Sequence, residues 1–183
     1  MLSGGQRQSP DCLERAAAIP QTSPMIRYFM TGALLLALSA VGAAEPPAAA
    51  DFAAVEACLE KNQAAGRHRD GPCLALISGP CQALPGGETT AGMVMCLQRE
   101  RAVWDSLLNR YYADMMRQID GTAKTALRDA QRAWIAFRDK LCAFGPAVYE
   151  GGSIGRPLRA QCLMEETARR AVGLKVWLEE MNR

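Results

Sequence analysis

Glu100 and Asp105 are the first side chains here whose type could do chemistry, since two nearby carboxylates are what acid–base cleavage of a glycosidic bond needs. They stand five residues apart in a segment with helical periodicity. At that spacing they point in different directions, so a bond-cleaving pair is the weakest reading. Arg138 and Arg170 raise a different question. Each falls on an apolar helical face, and a buried, unpaired guanidinium is costly. Glu100, Asp105 and Glu166 are the expected partners. Gln131, Trp134, Arg138, Leu141 and Cys142 share or border one face. The spacing therefore predicts an interhelical set of salt bridges and hydrogen bonds that fixes register. A ligand cleft lined by Arg138, Arg170 and Trp134 is the functional alternative.

The run Gly151-Gly152-Ser153-Ile154-Gly155-Arg156-Pro157 lacks the lysine of a phosphate loop, and no strand precedes it. Nor does it resemble a nucleophile elbow. It reads as a joint between helices, made basic by Arg156 and Arg159. For a protein that acts by contact it is also the best insertion element. His68 is the single histidine, between Arg67 and Arg69, so a triad or multi-histidine metal site has no material. Met93, Met95, Met115 and Met116 are too dispersed for a thioether copper site and read as packing. No catalytic residue, metal or cofactor is expected.

The positioning elements are bounded by composition. The chain has 183 residues, 49% hydrophobic and 22% charged, with a formal charge of +2. That balance argues against a nucleic-acid partner. Residues 25–44 carry Arg27 and then a short apolar run, ending in Gly42 and Ala44 at the −3 and −1 positions of a cleavage site. This is the plan of a secretory signal. Residues 1–24 then read as an extension upstream of the true start at Met25. Residues 45–50 form a Pro/Ala linker. Cleavage near Ala44 removes Cys12 and leaves Cys58, Cys73, Cys81, Cys96, Cys142 and Cys162. An even number in an exported chain predicts three disulfides, in the periplasm or outside the cell. No Cys-x₂-Cys pair supports zinc, and the mature chain shows no membrane span.

Phe52, Val55, Cys58 and Leu59 recur at helical spacing in a short helix capped by Asp51. Gly79-Pro80 and Pro85-Gly86-Gly87 break the stretch that follows. A long helix starts at Thr89 or Thr90, with Met93, Leu97, Trp104, Leu108, Tyr111, Met115 and Ile119 as its stripe. Asp120-Gly121 ends it, and Thr122 caps the next. There Leu127, Ala130, Trp134, Phe137, Leu141 and Phe144 form one stripe, and Gly145-Pro146 stops the helix. A third helix runs to about Met181, with Leu163, Leu174, Trp177 and Leu178 inward. The expected fold is all-α: a small antiparallel bundle of three main helices plus a short N-terminal one. Residues 51–88 form the cysteine-containing N-terminal segment and 89–183 the helical domain. Up-down-up order brings Cys96, Cys142 and Cys162 to one end. The preferred bridges are Cys142–Cys162, Cys73–Cys81 and Cys58–Cys96, with Cys96–Cys142 as the alternative.

One block is more specific than helix composition requires: Leu127-Arg128-Asp129-Ala130-Gln131-Arg132-Ala133-Trp134, then Phe137-Arg138-Asp139, then Cys142. With Cys96, Glu100, Trp104-Asp105, Gly151-Gly152-Ser153, Cys162 and Arg170, residues 93–174 resemble the lysozyme inhibitor LprI-like family of exported bacterial proteins. The resemblance implies a non-catalytic binding protein, with lysozyme, another envelope protein or peptidoglycan as partner. An envelope interaction module without inhibitory activity is the alternative. The acidic Asp51, Glu56, Glu60 and Asp70 suit steering toward a basic lysozyme better than the basic loop does, and the two clues conflict.

Overall fold

A computed structural model describes residues 47–65 and 73–183. The upstream extension, the signal segment, Cys12, His68 and Asp70 lie outside the described residues. Five helices follow in order: α1 Ala49–Ala64, α2 Ser78–Gln82, α3 Thr90–Gln118, α4 Gly121–Val148 and α5 Gly155–Met181. The expected all-α, disulfide-stapled architecture holds.

The core forms between α3 and α5, which run parallel to each other. Leu97 and Met164 share a wall at one level, and Tyr111 and Lys175 share one further along. Trp104, Leu107, Leu108 and Leu174 are buried there. Ala160, Ala168 and Ala171 of α5 are buried as well, and their small side chains let the helices approach closely. The long helix starts where expected, and Thr89 caps it, its hydroxyl accepting from the Gly92 N–H at 3.0 Å. Gly92 must be glycine. A Cβ there would lie 2.0 Å from the Gly86 carbonyl oxygen.

Several expectations need correction. The linker is shorter than 45–50, because α1 already includes Ala49 and Ala50. Asp51 sits inside the first turn, where its carboxylate accepts from the Ala48 N–H at 3.1 Å. Gly79-Pro80 does not break the chain but belongs to α2. Pro80 occupies the first turn of α2, where proline is tolerated. Asp120, not Thr122, stands at the N-cap of α4. Gly145-Pro146 does not end α4, which closes one turn later at Val148.

The largest departure concerns α4. It packs along α5 rather than inside a three-helix core, so only one side is covered. Leu127 and Trp134 reach the core, whereas Phe137 is 56% and Phe144 68% exposed. Trp177, expected inward on α5, is also exposed. Periodicity identifies a helix's apolar faces, but not whether a neighbour exists for each.

Of the preferred bridges, Cys142–Cys162 is present, with Cα atoms 5.4 Å apart. The other two are exchanged: Cys58 joins Cys73, and Cys81 joins Cys96. Glu100 supplies the reason. Its side chain is fully buried on α3. It accepts from the backbone N–H of Ala75 at 2.8 Å, Ile77 at 3.2 Å and Ser78 at 2.8 Å. The Ser78 hydroxyl adds a bond at 2.8 Å and the Trp104 indole N–H a longer one at 3.4 Å. The chain from Cys73 to Ser78 therefore wraps round one carboxylate, which directs Cys73 to α1 and Cys81 to the start of α3. Ala75 adopts a left-handed φ of 61° within this wrap, and its N–H is one of the donors.

Replacing Glu100 with glutamine keeps the volume but puts an amide NH₂ where an acceptor is needed. Hydrogen bonds to a charged group contribute roughly 1.5–3 kcal/mol each. Glu100→Gln is expected to lower the unfolding free energy by about 3 kcal/mol or more. Urea unfolding of the oxidised protein measures this, and an unchanged midpoint would refute the anchoring role.

Candidate functional site

The proposed family-motif residues divide among three places. Glu100 and Trp104 are wholly interior and form the anchor above. Asp105 is exposed on α3 and accepts from Asn109 at 3.3 Å, so the two carboxylates do not converge. Neither Glu100 nor Asp105 meets Arg138 or Arg170, and Glu166 pairs with Arg169. The expected interhelical salt bridges are therefore absent among the described residues.

A tryptophan replaces the expected acid. Arg138 lies over the Trp134 ring with its guanidinium carbon 4.9 Å from the centroid, and Arg170 approaches at 5.9 Å. The ring's negative faces stabilise both cations. Arg170 crosses from α5 to α4, its Nε donating to the Gln131 carbonyl oxygen at 2.8 Å. Arg138 donates to its neighbour Asp139 at 2.9 and 3.0 Å. Burial pushes the Arg170 guanidinium below its ordinary pKa. This seam joins α4 to α5. It brings together Gln131, Trp134, Arg138 and Arg170 as the sequence suggested, through ring faces and an amide rather than carboxylates.

The third place is the α4–α5 end. Tyr149 and Ile154 are exposed on either side of Gly151, Gly152 and Ser153. The loop is tightly turned. Gly152 N–H donates to the Tyr149 carbonyl at 2.8 Å, and Gly155 N–H to the Gly152 carbonyl at 2.9 Å. A Cβ on Gly155 would stand 3.0 Å from the Pro146 Cα, so glycine lets α5 begin directly against the end of α4. The Cys142–Cys162 bridge closes the same end.

Beside this loop a cleft of about 250 Å³ opens between the starts of α3 and α5. Gln98, Arg101, Arg156 and Arg159 line it over Val94 and Leu163. None of the three arginines is in an ion pair among the described residues. Sequence reasoning picked out Arg156 and Arg159 but missed Arg101, fifty-five positions before Arg156. Its signal was faint, since one arginine on an amphipathic helix reads as solvated surface.

The acidic alternative fares differently. Asp51 is bound by Arg99 at 2.9 Å, and Glu56 pairs with Arg110. That bond to Glu56 is the main reason the Arg110 pKa rises. Two of the four acids proposed for steering are thus already neutralised, whereas the loop arginines are not.

Chemically, the end offers guanidinium donors for carboxylate or phosphate, flanked by an exposed tyrosine and isoleucine. Tyrosine and arginine are the residue types that anchor protein interfaces. Among the described residues no group of three His, Cys, Asp or Glu side chains could hold a metal ion. No helix among them is long and apolar enough to cross a membrane.

The family model described as lysozyme inhibitor LprI matches residues 81–174, just over half of the chain. An uncharacterized protein of Rhizobium meliloti (strain 1021) is 31% identical over 98 residues, covering 46% of this chain and 70% of that protein. No solved structure matches. The matched region contains α3, the Trp134 seam and the stapled loop.

The seam yields a test. Arg170→Met removes one ring cation and the bond to Gln131, and is expected to cost about 1–2 kcal/mol. Arg138→Met should cost less, because its only polar partner among the described residues, Asp139, is exposed. Urea unfolding of both variants checks the order, and equal losses would refute the assignment.

Proposed function

We infer, because this chain belongs to the lysozyme inhibitor LprI family, that it is an exported, non-catalytic protein that inhibits lysozyme by direct contact. The contact surface is the stapled α4–α5 end, with Tyr149, Ile154, Arg156 and Arg159. One observation carries this reading: the end combines exposed apolar anchors with arginines that, among the described residues, have no carboxylate partner.

The charge of this end suits an active site rather than a whole enzyme surface. A lysozyme is basic overall, but its cleft holds the two carboxylates of glycoside hydrolysis. A short arginine-bearing projection complements that cleft while the rest of the enzyme repels it. Pre-organisation supports the same reading. The Cys142–Cys162 bridge, the Gly155–Pro146 contact and the two loop hydrogen bonds hold the backbone in advance, which reduces the entropy lost on binding. Three disulfides fit an oxidising compartment, and so the periplasm or the exterior.

A second reading has its own support. The 250 Å³ arginine-lined cleft offers cations to an anionic group of a wall polymer, which would make the protein an envelope-binding module.

Titration of the oxidised protein against a lysozyme, read by lysis of bacterial cell walls, decides between them. Saturable inhibition near one-to-one is expected. Arg156→Glu with Arg159→Glu should weaken it by about tenfold or more, while Lys124→Glu, far along α4, leaves it unchanged. Retention on peptidoglycan without any inhibition would overturn the inhibitor reading and favour the second.

A further inference from the structure

The uncovered side of α4 has a shape and a charge pattern that specify a partner. Gln131, Trp134 and Cys142 mark the side turned to α5. About 100° round the helix lies a second stripe, all of it exposed. Its C-terminal half is bulky: Phe137, Leu141, Phe144 and Val148. Its N-terminal half is small: Ala126, Ala130 and Ala133. No charged residue interrupts the line. Over a helix of 28 residues, about 42 Å long, this is a large apolar strip to leave in water.

We propose that this face packs against the same face of a second copy, with the two α4 helices antiparallel. A two-fold axis crosses the helix midway between Ala133 and Phe137. Each Phe137 then lies over the second copy's Ala133, each Phe144 over its Ala126, and each Leu141 beside its Ala130. Large side chains meet small ones along the whole strip, which gives close packing. The parallel arrangement would crowd the phenylalanines at one end and leave a gap at the alanine end. A self-complementary patch of this kind closes as a dimer.

The flanking charges favour the same register independently. Asp129 and Lys140 lie on the same edge of the stripe, about 60–80° from its centre. In the antiparallel pair Asp129 of each copy comes beside Lys140 of the other, so the contact is made twice. Asp129 is free to make it, because it is mostly exposed and its pair with Arg132 is a long one at 3.7 Å. The stapled α4–α5 ends fall at opposite ends of such a dimer, so both remain outward-facing.

Sedimentation equilibrium of the oxidised protein tests the proposal. A concentration-dependent dimer is expected. Asp129→Lys or Lys140→Asp alone should weaken association about tenfold, and combining the two should restore it. Phe144→Asp should abolish it. These positions are solvent-exposed in the single chain, and circular dichroism confirms that each variant folds. A monomer at every concentration reached would overturn the proposal. A dimer indifferent to the charge exchange or to Phe144→Asp would overturn it too, and would show that another face mediates association.

Discussion

A carboxylate with no exposed surface must be surrounded by donors, and the segment between α1 and α3 is arranged to surround Glu100. Among the described residues no arginine or lysine supplies the compensation. Three backbone N–H groups and a hydroxyl from one short stretch of chain do so, with a longer bond from the Trp104 indole. That stretch buries Cys73 and Ile77 and fastens the backbone between and beside them to the carboxylate. It keeps a left-handed alanine because a bond to the carboxylate offsets the strain. The disulfides on either side, Cys58–Cys73 and Cys81–Cys96, limit how far the segment can unwind when that bond opens. Asp51 and Arg99 then fasten α1 to the same helix one residue earlier. Anchor, bridges and ion pair form one connected unit on the first half of α3.

This unit was the least legible part of the sequence, and the reason is physical. The donors to Glu100 lie 22 to 25 residues before it, and backbone amides carry no residue-type signal. A helix-period reading sees only an acid and looks for a base. The available clue was position: Glu100 falls between Leu97 and Trp104 on the buried stripe, where an acid has to be satisfied from within. The disulfide exchange follows from the same blind spot, since pairing depends on how the 73–78 turn wraps. By contrast, the start of α3 at Thr89 or Thr90 and the Cys142–Cys162 bridge depend on local rules, and both are legible in the sequence. The end of α5 at Met181 is equally legible.

The Arg138–Trp134–Arg170 cluster shows a second way to house charge in an apolar seam. A carboxylate partner would have required full desolvation of two opposite charges, which often costs as much as it returns. An indole face demands less. It accepts a cation without a hydrogen bond, and Gln131 adds a directional contact that helps set register between α4 and α5. The sequence identified which residues meet here but misassigned the force that joins them, because periodicity reports proximity and not its chemistry.

The same seam explains why α4 can carry two surfaces at once. Trp134 holds the middle of the helix and Cys142 its C-terminal part, both to α5. A helix held along one edge by another helix needs no third neighbour to stay in place. Its opposite edge is therefore free to remain apolar without loss of the fold, and its end is free to present a stiff loop. Were α4 buried between α3 and α5, as a compact bundle would have it, Phe137 and Phe144 would be core residues and the side surface would not exist. The parallel pairing of α3 with α5 removes that slot. The contact surfaces of this protein thus follow from its topology, and the topology from the close approach that the alanines of α5 allow.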